Sequence, residues 1–137
     1  MSVEVIGVPS KLIPEIWPHV SHFIEQGLNS GRFDNFDMDD IYQRLLDARY
    51  QCWLCIIGNR VEAACCTMVG ENKKLYILGL GGGLMPQWVD ILWRELLDFG
   101  RREGCTTIGG YGRRGWIRVL KLKNPRIQYS WETDIEG

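Results

Sequence analysis

Five cysteines carry the most conspicuous chemical spacing in the chain: Cys52-x-x-Cys55, the adjacent Cys65 and Cys66, and Cys105 on its own. Two thiols separated by two residues can hold a metal ion or exchange a disulfide. Here they lie in the strand-like run from Gln51 to Ile57, and residues three apart on a strand point to opposite faces. Cys65 and Cys66 sit in a second strand-like run and diverge for the same reason. No second C-x-x-C and no downstream histidine cluster accompanies them. The thiols therefore read as small buried apolar residues of a reduced protein, with no disulfide and no metal. His19 and His22 fall one helical turn apart without a third ligand, which suits a helix surface. Later in the chain Arg113, Arg114, Arg118, Lys121, Lys123 and Arg126 make a local basic patch. It could meet an acidic protein or a nucleic-acid phosphate backbone, or be a solvated helix face.

The elements that must position these residues belong to a chain of 137 residues, one domain's worth, read as a single domain over 1–137. Apolar residues make up 45% and charged residues 24%, which excludes a disordered chain and a disulfide-stapled miniprotein. Sixteen Lys and Arg against 17 Asp and Glu leave a net charge of −1, so the overall balance gives no argument for nucleic-acid binding. No apolar run approaches the ~20 residues of a membrane span, and the start lacks the basic flank of a secretory signal. The expectation is a soluble cytoplasmic domain without a membrane partner.

Val3 to Val8 reads as a strand. Ile13, Ile16, Trp17, Val20, Phe23 and Ile24 then repeat at helical spacing, with Pro14 or Pro18 in the first turn. Gly27 and the run Asn29-Ser30-Gly31 are expected to end that helix. Asp37 looks like the N-cap of a second helix with Ile41, Leu45 and Leu46 on one side. Three strands follow at 51–57, 61–69 and 74–80, joined by short turns that make them antiparallel neighbours. Gly81-Gly82-Gly83 stops the third. A long helix spans 86–102, with Trp88, Leu92, Leu96 and Phe99 expected to pack on Ile77 and Ile108. A strand at 105–110, a basic helix at 112–122 and a last strand at 126–135 complete the order β-α-α-β-β-β-α-β-α-β. Strand, long helix, strand is a crossover unit and predicts a parallel pair around 86–102.

That order of elements resembles the Gcn5-related N-acetyltransferase (GNAT) fold over nearly the whole chain. It implies an α/β (α+β) domain with a GNAT-like mixed central sheet flanked by helices. In such enzymes a Q/R-x-x-G-x-G/A loop after the fourth strand holds the acetyl-CoA pyrophosphate on backbone N–H groups and a helix N-terminus. Here those positions fall on Leu84, Gln87 and Val89, and Pro86 and Trp88 are expected to add bulk where the phosphate would approach. Gly81, Gly82 and Gly83 lie just upstream and offer either another nest of N–H groups or a flexible strand exit. The family's second signature, N-x-x-A-x-x-x-Y-x-x-x-G-F, aligns with Arg113 to Pro125. Leu120 then stands where the resemblance expects a tyrosine acid for the departing thiolate. Glu62 and Glu71 are the carboxylates near the strands that often supply a general base, and both suit solvated positions.

Gly112-Arg113-Arg114-Gly115-Trp116 resembles, more narrowly, a motif of short GNAT-like proteins of tailed bacteriophages, which often lack the acetyltransferase residues. This implies a non-catalytic protein of the host cytoplasm and of the virion, acting on a protein partner. Six tryptophans, with the arginines of the basic patch, supply the residue types that anchor interfaces. Trp116 is open to either role, interface anchor or helix core. The other reading is a live acyl-CoA N-acyltransferase, with Gly81, Gly82, Gly83, Arg113 and Arg114 holding acetyl-CoA and water carrying the protons.

Overall fold

The computed structural model describes residues 2–29, 37–110, 126–127 and 131–135. Within them, one mixed sheet is covered by helices on both faces, the α/β (α+β) arrangement the order of elements predicts. Strand β1 (Val3–Val8) leads through a 3-10 turn into α1 (Ile13–Asn29), and α2 (Met38–Leu46) follows. Next come β2 (Tyr50–Ile57), β3 (Arg60–Val69), β4 (Lys74–Gly82), α3 (Met85–Arg102) and β5 (Thr107–Gly110). The last elements are β6 (Arg126–Ile127) and β7 (Trp131–Asp134), and the strands lie in the order β1-β2-β3-β4-β5-β7-β6. β4 and β5 are the parallel pair, joined by α3; the other neighbours are antiparallel.

Local chemistry explains most boundaries. The Asp37 side chain accepts the Asp39 N–H at 2.9 Å, the N-cap bond its residue type predicts. Gly58, at φ 62°, makes the two-residue turn between β2 and β3. α3 closes one face with Trp88, Leu92 and Leu96 against Ile77 and Ile108; Phe99 is half-buried beside them. α1 and α2 close the other with Ile13, Val20, Ile24, Ile41 and Leu45.

Three expectations change. α1 ends at Asn29, the first residue of the expected terminating run, but Gly27 lies inside the helix and does not help to end it. A Cβ on Gly27 would stand 2.3 Å from the Leu80 nitrogen, so this glycine is where the helix meets β4 and not where it stops. β4 is not stopped by the glycine triplet but runs through Gly81 and Gly82, which pair with Ala64 and Ala63. The single last strand is two strands that pair with each other, Ile127 opposite Trp131, although neither glycine nor proline marks the reversal. The basic helix expected at 112–122 lies outside the described residues, as do Arg113, Arg114, Trp116 and Leu120.

Candidate functional site

The parallel pair β4 and β5 leads to the strand end that carries the predicted glycines. Their ladder runs from Lys74 opposite Thr107 to Ile77 opposite Gly110. Beyond Ile77, among the described residues, β4 pairs with β3 alone. β4 is irregular just past this point. Cys66 pairs with Gly79 and Thr67 with Ile77, so Leu78 is an extra residue. Leu78 packs with the α1 cluster, and a Cβ on Gly79 would also meet α1, at Ile24. Two consecutive residues facing one way are a β-bulge, which bends and twists its strand.

The predicted glycines lie at the far end of that strand, and each stands in a different setting. A Cβ on Gly81 would come 2.1 Å from the carbonyl oxygen of Phe23 in α1. Gly82 adopts φ +140°, a conformation suited to glycine, and a Cβ there would meet Glu62 and Ala63. Gly83 is open, with nothing within 4 Å of a built Cβ, yet its N–H donates to the Glu62 carbonyl at 2.9 Å. Its own carbonyl accepts the Trp88 indole N–H at 2.7 Å. Leu84 then takes the left-handed N-cap position of α3 at φ 57°, 49% exposed and without a side-chain cap. Pro86 sits in the first turn, where a missing N–H breaks no helical bond.

Trp88 packs in the core as its helical spacing predicts, and this overturns the other expectation, that it adds bulk where a phosphate would approach. Its side chain does not stand at the mouth of α3; it is 1% exposed and belongs to the core. The indole reaches inward because burying its large apolar surface is favourable and the Gly83 carbonyl satisfies its N–H. The exposed residues at the mouth are Gly83, Leu84, Pro86 and Gln87.

The candidate bases stand apart from each other. Glu62 is half-buried in β3, with Oε1 3.8 Å from Arg60 Nε. Glu71 is exposed in the β3–β4 turn. His19 and His22 are both exposed on α1, and the His22 ring lies tilted against Phe23, with centroids 3.9 Å apart. Among the described residues no group of three metal-binding side chains comes together.

The thiols divide between the faces as strand alternation requires: Cys55 and Cys65 lie in the α3 cluster, Cys52 and Cys66 in the α1–α2 cluster. Register adds what spacing could not show, because Cys52 stands directly opposite Cys66 across β2 and β3. All five thiols are free and buried. Burial pushes Cys52 and Cys55 up to about 12, and Cys65 and Cys66 well above the ordinary thiol range. These are poor nucleophiles at neutral pH.

No family model matches the sequence, and no curated protein does. Solved structures match the fold. The PaiA N-acetyltransferase of Thermoplasma acidophilum, in complex with coenzyme A, superposes with a TM-score of 0.69 at 10% identity, over 98% of this chain and 99% of that one. An acetyltransferase of the GNAT family from Staphylococcus aureus gives 0.63 at 10%, over 98% and 100%. Ard1 from Thermoplasma volcanium gives 0.67 at 10%, over 100% of both chains. The chain has the GNAT fold.

Proposed function

We propose that this chain uses a GNAT fold for binding and not for acetyl transfer. The Gly112–Trp116 segment adds the setting: a virion-associated phage protein acting in assembly within the host cytoplasm. The observation that carries the first part is the condition of the backbone where β4 ends. A pyrophosphate needs several unpaired N–H groups converging on it. Gly83 already donates its N–H to Glu62, Gly81 and Gly82 are pressed against α1 and β3, and Pro86 has no N–H. The sequence agrees, with Leu84, Gln87 and Val89 in place of the phosphate motif and Leu120 in place of the acid. Binding then falls to Arg113 and Arg114, whose planar forks suit a carboxylate or phosphate, and to nearby Trp116. An acidic protein surface is the partner this chemistry fits, and nucleic acid along 113–126 is the alternative.

One observation favours a second reading, the live acyl-CoA N-acyltransferase. Trp88 is turned into the core, so the mouth of α3 is not blocked by its ring. Gly83, with Arg113 and Arg114, would then hold the coenzyme, and catalysis would come from positioning.

Acetyl-CoA titration followed by thermal melting separates the two, because a ligand of the native state raises the midpoint by mass action. The binding reading predicts an unmoved midpoint at millimolar acetyl-CoA. A rise of several degrees would overturn it. The partner surface has its own test: Arg113→Ala with Arg114→Ala should fold normally and lower phage assembly, and parental assembly would remove the patch as a site.

A further inference from the structure

We propose that the cavity at the Lys74 end of β4 binds a small amine with a flat apolar body. The cavity lies on the α1–α2 side of the sheet, where β2 and β4 begin and β3 ends. It is an open groove of about 450 Å3, the volume of a small-molecule site but exposed to solvent along one side. Three of its residues form a row across neighbouring strands: Tyr50 stands opposite Met68, and Met68 opposite Tyr76. Leu78, two residues on from Tyr76, lines it from the core. Two aromatic rings flanking a thioether make a surface suited to a flat apolar group.

The charges around the cavity decide the polar part of its ligand. The Arg44 guanidinium lies 5.5 Å from the centre of the Tyr50 ring, and Lys74 Nζ lies 4.7 Å from that of Tyr76. Each of these cations has its own carboxylate: Asp40 at 2.9 Å from Arg44, and Glu132 at 3.1 Å from Lys74. The rim is held by Asn72, whose amide donates to the Tyr76 hydroxyl at 3.2 Å. Glu71 is the remaining charge in the lining, and among the described residues it has no ion-pair or hydrogen-bond partner. Lys73 is in the same turn but does not line the cavity. A cation is therefore the charge this rim lacks, and an anion would meet Glu71 unfavourably. The inference goes beyond the reading above, since it requires neither acetyl-CoA nor the basic segment.

Tryptamine and indole-3-propionate carry the same flat body with opposite charge, and amide NMR spectra of the full chain report both. Tryptamine should give saturable shifts at residues 68–78, with indole-3-propionate roughly tenfold weaker or silent. Glu71→Gln, a change in an exposed turn, should melt with the parent and weaken tryptamine roughly three- to fivefold, as loss of an exposed ion pair does. Tyr76→Leu should remove binding. The proposal is overturned if tryptamine gives no saturable shift up to about 10 mM, a generous ceiling for so small a ligand. Equal binding of the two indoles, or unchanged affinity in Glu71→Gln, would overturn it as well.

Discussion

The two faces of the sheet are closed by different means. On the α3 side, large side chains fill the space: Trp53, Trp88, Leu92 and Leu96, with Phe99 edge-on to Trp53 at 5.3 Å. On the α1 side, the helix backbone comes down on β4 where side chains are missing, with Gly27 over Leu80, and Gly79 and Gly81 under Ile24 and Phe23. One face is therefore vulnerable to removal of atoms and the other to their addition. The difference also reassigns the glycine triplet. Gly81 belongs to helix packing, while Gly83, two residues on, belongs to the open exit of the strand.

The largest effect should come from adding a methyl group on the α1 side. Gly81→Ala would place Cβ 2.1 Å from the Phe23 carbonyl oxygen, backbone against backbone, with no flexible atom to yield. A loss above ~4 kcal/mol is expected in chemical denaturation, the size reserved for severe overpacking. A loss under ~1 kcal/mol would erase the contrast between the faces. Leu92→Ala, on the α3 side, should cost ~2–5 kcal/mol through the cavity it leaves.

The thiols test both faces at once. A buried thiol stays protonated in the native state, while the unfolded chain ionises above its ordinary value of 9.0. The native state then binds more protons, so stability falls as pH rises from about 9 toward 12. Each buried thiol should remove ~1.4 kcal/mol per pH unit across that window. Cys52→Ala and Cys55→Ala should each flatten the alkaline slope, one from either face, and an unchanged slope in both would contradict their burial. The smallest effect belongs to Gly83→Ala, which should change stability by under ~0.5 kcal/mol because its Cβ meets nothing.

Much of this was legible in the sequence. The apolar period of 86–102 gave α3 and its buried side, and Asp37 gave the start of α2, because both signals are local. The run from Asn29 marked the end of α1, but Gly27 was grouped with it because its role depends on a strand some fifty residues away. Its signal was the pattern of three small residues, Gly27 with Gly79 and Gly81, which spacing along the chain does not join. Trp88 was legible as core from its helical spacing; only the bulk expected from it at the phosphate position fails, because its indole turns inward and donates to the Gly83 carbonyl. The facing of Cys52 and Cys66, and the row of Tyr50, Met68 and Tyr76, follow from hairpin register, which the bulges at Glu62 and Leu78 alter. The GRRGW segment lies outside the described residues and rests on its sequence alone.

The central claim is that the strand exit, though sterically open, offers a coenzyme no Gly83 N–H because Glu62 already accepts it, and the Gly83 amide reads this most directly. Bonded to Glu62 at 2.9 Å, that amide should exchange slowly with solvent. Its NMR resonance, and those of Leu84 and Met85, should stay in place on addition of millimolar coenzyme A. Rapid exchange of Gly83, with saturable shifts of all three resonances, would contradict the account.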